Sequence, residues 1–202
     1  MGKDVNIDES ALWKGIQRGN QASFEAVYRL YFKLLYRYGK KIGGNSTIVE
    51  DAIHDLFFDL WKYRQKISAT TSIKFYLFRA LRRRIVKNTN DDFDATVFDF
   101  RENEIFLKKA LSYEDVLIES ESHRQRISVL KKHLNSLSPR HYESLILRFY
   151  DDFSYKEIAA IMDVNEQSAR NIVQRALEHL RHFAKVLYAI LFFVLMRIPF
   201  SF

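Results

Sequence analysis

The chain has 202 residues, room for one ordinary domain or two small ones, and its 48% hydrophobic and 28% charged composition is that of a folded protein. Its 6 Gly all lie at or before Gly44 and only 2 Pro occur, which argues against a β-rich fold and leaves the second half without a glycine-rich phosphate loop; Cys is absent, which excludes disulfides, thiol catalysis and cysteine-based zinc sites. The formal charge is +7 but unevenly spread: residues 1–90 hold 17 basic and 8 acidic side chains, residues 91–123 hold 3 and 10, and residues 124–202 hold 12 and 7. Basic blocks flanking an acidic one suit a polyanion partner such as nucleic acid, and equally an ordinary solvated surface.

The start, MGKDVNIDES, has no apolar stretch and reads as no secretory signal, which with the missing Cys points to the cytoplasm. From Leu12 to Tyr38, Ile16, Phe24, Val27, Leu30, Tyr31, Leu34, Leu35 and Tyr38 recur at helical spacing, interrupted at Gly19-Asn20. This predicts two consecutive helices with one buried stripe. Gly43-Gly44-Asn45 stops the second, and Thr47 with Glu50 forms a capping-box pattern that starts a third. In that third helix Ile53, Leu56, Phe57, Leu60 and Trp61 share one face, opposite Asp51, His54, Asp55 and Asp59. A fourth turns Ile73, Leu77, Leu81 and Ile85 inward and spreads Lys74, Arg79, Arg82, Arg83 and Lys87 over its outer surface.

Residues 88–115 lose the periodicity and turn acidic. A connection of that length fits a linker between two domains, with one helical turn near Ile105–Leu111. Helical pattern returns at 116, where Ile127, Leu130, Leu134 and Leu137 form a stripe. Ser138-Pro139 opens the next helix, with Leu145, Ile146 and Phe149 as its apolar face. Asp151-Asp152-Phe153 breaks it, and Ser154 with Glu157 makes a second capping box.

The stretch SYKEIAAIMDVNEQSARNIVQRALEHLR holds a short helix, a tight turn and a longer helix capped by Asn165, the pattern of a helix-turn-helix. Ala159 is small where the helices cross, and Val164 can plug the turn. Ala169, Ile172, Val173, Ala176, Leu177 and Leu180 form the buried stripe of the second helix, which leaves Gln167, Arg170, Asn171 and Gln174 outside. Long amide and guanidinium side chains at the front of such a helix reach base edges in the major groove. A plain helical hairpin with a polar face would need no such set.

At these residues the sequence resembles the bacterial extracytoplasmic-function (ECF) sigma factors. Leu137–Arg140, Leu147–Tyr150, Ser154–Ala159 and Arg175–Arg181 match the pattern of that family's promoter-binding C-terminal domain. GNQASFEAVYRLYFKLLYRYGKKI, VEDAIHDLFFDLWKYR and SIKFYLFRALRRRIVK resemble its opening helix pair, its polymerase-binding helix and the helix that reads the −10 promoter element. The resemblance covers residues 9–88 and 119–184. It implies an all-α fold of two helical domains: residues 1–90 for core polymerase and the −10 element, an acidic linker 91–118, and residues 119–184 with the helix-turn-helix for the −35 element, followed by an apolar tail 185–202. It implies polymerase contacts through Asp51, His54, Asp55, Phe58 and Asp59, and −10 DNA contacts through Lys74, Arg79, Arg82, Arg83, Arg84 and Lys87, with Arg83 standing where the family often carries Asn. It implies −35 contacts through Gln167, Ser168, Arg170, Asn171, Gln174 and Arg175, Arg175 serving phosphate. Core RNA polymerase, promoter DNA and an anti-sigma factor are the implied partners. The implied protein is no enzyme and takes no cofactor, metal or small-molecule substrate.

His179 and His182 lie three apart on one helix, but no third ligand completes a metal site. The run Val186–Met196 is continuously apolar and, at eleven residues, well short of the ~20 that span a bilayer. It is expected to pack on protein rather than touch a membrane. Two rival functions remain at this point. One is a helix-turn-helix regulator that binds DNA without polymerase, against which the acidic third helix and the basic fourth speak. The other is an enzyme fused to a DNA-binding domain, against which the missing nucleotide, metal and thiol motifs speak.

Overall fold

Asparagine and aspartate punctuate the first half, and each opens a helix. In the computed structural model, which describes residues 8–42, 45–88 and 137–196 (side chains as far as 181 in the last stretch), Asp8, Asn20 and Asn45 accept hydrogen bonds from the backbone N–H of Ala11, Ser23 and Ile48 at 3.0, 2.9 and 2.8 Å. They open α1 (Glu9–Gln17), α2 (Gln21–Lys41) and α3 (Ser46–Lys62). The expected start at Thr47 is therefore corrected: Asn45, a stronger cap than threonine, takes that role earlier in the chain. The fourth helix, α4 (Ile73–Asn88), has its first N–H groups met by side chains: Glu9 accepts from Ile73 at 2.8 Å and Ser72 from Phe75 at 3.2 Å.

These four helices form one of two compact units, and each unit is described by itself. Ile16, Val27, Leu35, Tyr38, Ile53, Leu56, Phe57, Leu60, Leu77, Leu81 and Ile85 are buried at its centre, as the apolar spacing requires. Trp13 donates its indole N–H to the Ser68 carbonyl at 3.0 Å, tying α1 to the loop that leads into α4. Gly39 lets α2 approach α3 and α4 closely: a Cβ there would stand 2.6 Å from Val49 and 3.2 Å from Ile85. Leu30, expected in the buried stripe, is 39% exposed. Leu30 stands roughly 100° round α2 from the middle of the buried set Val27, Tyr31, Leu35 and Tyr38, on the flank away from the aromatic rings. Tyr28 packs on Phe57 with centroids 4.8 Å apart, and Phe24 on Trp61 at 4.9 Å.

In the second unit Ser138 caps α5 (Pro139–Leu145), with Pro139 in the first turn. The chain then widens into a π turn, Ile146–Tyr150, in which the Asp151 N–H reaches back five residues to the Ile146 carbonyl at 3.0 Å. The wider turn shifts the angular position of the residues within and after it. Leu145, Ile146 and Leu147 are all buried, and Phe149, expected inside, is 49% exposed. Asp152, with φ 57°, lets the chain reverse into α6 (Tyr155–Met162). The capping box at its head is complete: the Ser154 N–H donates to Glu157 at 2.8 Å, and the Glu157 N–H donates to the Ser154 hydroxyl at 3.3 Å.

Asp163, at φ 56°, and Val164, whose N–H reaches the Ala159 carbonyl at 2.9 Å, form the turn before α7 (Glu166–Met196). Asn165 caps α7 through the Ser168 N–H at 2.7 Å. Helix α7 runs without a break to Met196, through residues 185–196 of the segment expected as an apolar tail. No helix among the described residues is long and apolar enough to cross a membrane. The acidic linker, the stripe at Ile127–Leu134, Gly43-Gly44 and the last six residues lie outside the described residues, as do the side chains of the apolar run.

Candidate functional site

Helix α3 carries two parallel surface stripes, because residues four apart stand above one another on a helix. Asp51, Asp55 and Asp59 make one stripe, and His54, Phe58 and Lys62 make the other. Asp51, His54, Asp55 and Phe58 are exposed, Phe58 to 63%, with the Lys62 ammonium 5.6 Å from its ring centroid. Phe58 and the carboxylates offer an apolar and an acidic contact side by side, which suits a partner presenting apolar and basic groups together. Asp59 differs from the rest of the stripe. It is half-buried, and its Oδ2 lies 2.6 Å from Nη2 of Arg84 on α4.

Beside the α3 stripes runs a ladder of which the sequence reasoning named only Phe24, and that as part of the buried stripe. Phe24, Tyr28, Phe32 and Tyr36 follow one another along α2 at four-residue spacing and are all half-buried. Tyr28 and Phe32 lie 5.2 Å apart, Phe32 and Tyr36 stack at 6.4 Å, and Phe32 meets the His54 ring at 6.2 Å. The signal that could have found it is the aromatic repeat at i, i+4 itself, which lies beside the aliphatic stripe rather than within it.

On α4, Arg83 and Lys87 are exposed, whereas Lys74, Arg79, Arg82 and Arg84 are half-buried. Lys74 lies over the Phe78 ring at 5.8 Å, and Nε of Arg79 is buried without a hydrogen-bond partner. The helix is a basic surface, but two of its expected DNA contacts, Lys74 and Arg84, are engaged within the protein: Arg84 with Asp59, Lys74 with an aromatic face.

The outer face of α7 is as the periodicity demands. Gln167, Arg170, Asn171, Gln174 and Arg175 are exposed, Ser168 is half-buried at the cap, and Ala169, Val173 and Ala176 are buried. The exposed groups are hydrogen-bonded among themselves: Gln167 donates to Asn171 at 3.1 Å, Gln174 to Glu178 at 3.0 Å and Arg170 to Glu166 at 2.6 Å. Such exposed i, i+4 contacts are worth only about 0.2–0.5 kcal/mol each. They hold the side chains in order and are weak enough to be exchanged for other partners. Val164, expected to plug the turn, is only half-buried, and Ala159 is buried.

Near the start of α5, burial, followed by the positive charge of His179, Arg175 and Arg140, holds His141 below the ordinary histidine value. His141 and Arg140 on α5 are thus electrostatically coupled to Arg175 and His179 on α7. Of the pair His179 and His182, the second lies outside the described side chains; among the described residues no group of three metal-ligating side chains occurs.

Residues 27–90 match Sigma-70 region 2 and residues 133–182 match Sigma-70 region 4. The chain is similar to the ECF RNA polymerase sigma factor SigM of Bacillus subtilis, at 20% identity over 161 residues, covering 79% of this chain and 93% of SigM. Two solved structures share the fold. CnrH, in complex with the cytosolic domain of CnrY, has a TM-score of 0.58 at 17% identity, over 88% of this chain and 97% of that one. The sigma factor RpoE of Bartonella quintana, in complex with the anti-sigma factor NepR, has a TM-score of 0.54 at 23% identity, over 81% and 97%. The two matched regions stand in order and together take in more than half of the sequence, and the chain belongs to the sigma-70 family, among its extracytoplasmic-function (ECF) RNA polymerase sigma factors.

Proposed function

We propose that this chain is the promoter-specificity subunit of RNA polymerase: it binds the core enzyme and directs it to promoters through their −10 and −35 elements. The observation that carries the reading is the pairing, in one chain, of an acidic, phenylalanine-bearing face on α3 with a polar reading face on the second helix of a helix-turn-helix. A regulator that bound DNA alone would have no use for the first. The polymerase performs the chemistry. The sigma factor contributes differential binding, and it acts in the cytoplasm, where polymerase and promoters are found.

In this reading residues 1–90 form the polymerase and −10 domain, 91–118 the linker and 119–184 the −35 domain. Asp51, His54, Asp55 and Phe58, with Asp59 at the end of the stripe, meet a basic, partly apolar surface of the core enzyme. Arg82, Arg83 and Lys87 lie along −10 DNA, where phosphate contacts favour the separated strand. Gln167, Arg170, Asn171 and Gln174 read −35 base edges, and Arg175 contacts phosphate. An anti-sigma factor is a further partner, in keeping with the complex in which the RpoE relative was solved.

The test is reconstitution. The full chain, added to core polymerase, copurifies with it and confers transcription from promoters that core polymerase alone ignores. Specific DNA binding without any association with core polymerase would overturn the reading in favour of a stand-alone regulator.

A further inference from the structure

The phenol ring of Tyr155, the first residue of α6, is shared by two guanidinium groups. The Arg148 carbon Cζ lies 4.9 Å from the ring centroid and the Arg170 Cζ lies 4.5 Å from it. The three residues come from the π turn, α6 and α7. Arg148 is held from its other side, since its Nη1 donates to the Phe153 carbonyl at 3.0 Å. Arg170 is held by Glu166 at 2.6 Å. The ring is half-buried, and both ends of the Glu166–Arg170 pair are about half exposed.

We propose that Tyr155 is a positioning residue for sequence readout, holding the guanidinium of Arg170 in place before DNA arrives. The proposal rests on the reading of α7 as the −35 reader. An arginine fork gains specificity from a fixed bidentate geometry, and a free arginine loses much rotamer freedom when it adopts one. Glu166 alone secures Arg170 poorly, because an exposed ion pair is weak and salt-screened. Contact with an aromatic face adds a restraint that leaves the N–H edges of the guanidinium available for base edges. Arg148, fixed to the Phe153 carbonyl, sets the ring from the other element. The conformation of the π turn is thereby transmitted to the reading helix.

The experiment uses holoenzyme assembled from the full chain and core polymerase, with duplex DNA that the wild-type holoenzyme selects from a pool randomised over the −35 segment. The readout is the ratio of affinities for the selected duplex and for single-base-pair variants of it. Arg170→Ala flattens that ratio at one base pair. Tyr155→Leu is expected to lower the ratio at the same base pair by about five- to tenfold, and Tyr155→Phe, which keeps the ring, to restore it. Arg148→Met, which leaves Tyr155 and Arg170 in place, lowers it less and serves as the second probe if Tyr155→Leu does not fold. If Arg170→Ala flattens the ratio and neither Tyr155→Leu nor Arg148→Met does, the positioning role is overturned while the reading of α7 stands. A uniform loss of affinity with unchanged ratios assigns Tyr155 to stability alone and also overturns it. If Arg170→Ala changes nothing, Arg170 reads no base and the proposal falls with that assignment.

Discussion

Arg84 and Asp59 belong to different helices and to different expected interfaces, yet they bind each other: Nη2 of Arg84 lies 2.6 Å from Oδ2 of Asp59. Asp59 ends the acidic stripe of α3, which faces polymerase in the proposed function. Arg84 lies on α4, the proposed −10 helix. A side chain committed to this pair is unavailable to a phosphate, so whatever draws Asp59 away releases Arg84. The pair is 29% and 44% exposed, so its own contribution to stability is small, at most about 1 kcal/mol.

Asp59→Asn is therefore expected to move two affinities in opposite directions. Binding to core polymerase falls, and binding of the holoenzyme to −10 DNA rises by about two- to fivefold at low salt, as Arg84 becomes free to neutralise a phosphate. Unfolding stability shifts by less than about 1 kcal/mol. Competition binding with fluorescent promoter fragments checks the DNA arm. A fall in DNA binding instead would mean that Asp59 serves to hold Arg84 in its DNA-facing position.

Glu9 ties three helices together and its loss should be felt in folding, not in DNA recognition. It accepts from the Tyr31 hydroxyl of α2 and from the first N–H of α4, at Ile73, where the helix dipole also favours a carboxylate. Glu9→Ala is expected to cost about 1–3 kcal/mol in urea unfolding, since it strands a partly buried hydroxyl and a helix-end N–H. Burial first, then the hydrogen bond to and charge of Glu9, holds Tyr31 above the ordinary tyrosine value. The unfolded chain then gives up its proton first as pH rises. This contribution to stability is complete below about pH 10 and is lost above it. Tyr31→Phe removes that part of the alkaline decline, whereas an unchanged decline would place it elsewhere.

What could be read in the sequence was whatever repeats locally. The order of helices, the buried set Ile53–Leu60 and Ile73–Ile85, the Ser154–Glu157 box and the exposure of Gln167, Arg170, Asn171 and Gln174 all derive from a period of 3.6 residues or a cap three residues long. What escaped was set by tertiary pairing or by departure from that period. Asp59 meets Arg84 across 25 residues and Glu9 meets Ile73 across 64, and neither leaves a local pattern. The π turn broke the assumed spacing, and Phe149 came out on the surface in consequence. Tyr155 read as one residue of a family pattern, and its two arginine neighbours became apparent only once three elements were brought together.

The basic group around His141 predicts a dependence on acid. The folded state holds His141 below the ordinary value of about 6.5, because of burial and the nearby His179, Arg175 and Arg140. Between the lowered folded value and 6.5 the unfolded chain carries the extra proton. Stability is thus full above pH 6.5 and falls as pH drops through that window. His141→Gln should flatten the decline in thermal midpoint between pH 7 and pH 5. A bound phosphate would offset the repulsion, so added duplex DNA is expected to shrink the wild-type decline as well. Equal declines in wild type and variant would remove His141 as the origin.

Asp51 and Asp55 are the cleanest test of the polymerase face, since both are exposed on the outer stripe of α3 while Val49, Ala52, Ile53 and Leu56 form its buried side. Reversing both to Lys leaves the core untouched, and the unfolding free energy is expected to stay within about 0.5 kcal/mol of wild type. Affinity for core polymerase should fall about tenfold near 0.1 M salt, each reversal replacing a weak attraction by a repulsion of similar size. The difference should narrow as salt rises, because charges on an open surface are screened over about 10 Å at that ionic strength. Titration of core polymerase with labelled sigma factor at two salt concentrations measures both effects. Undiminished affinity at the lower salt would show that the acidic stripe does not face polymerase, and Phe58 with the Phe32–Tyr36 edge of the aromatic ladder would then be the next surface to alter.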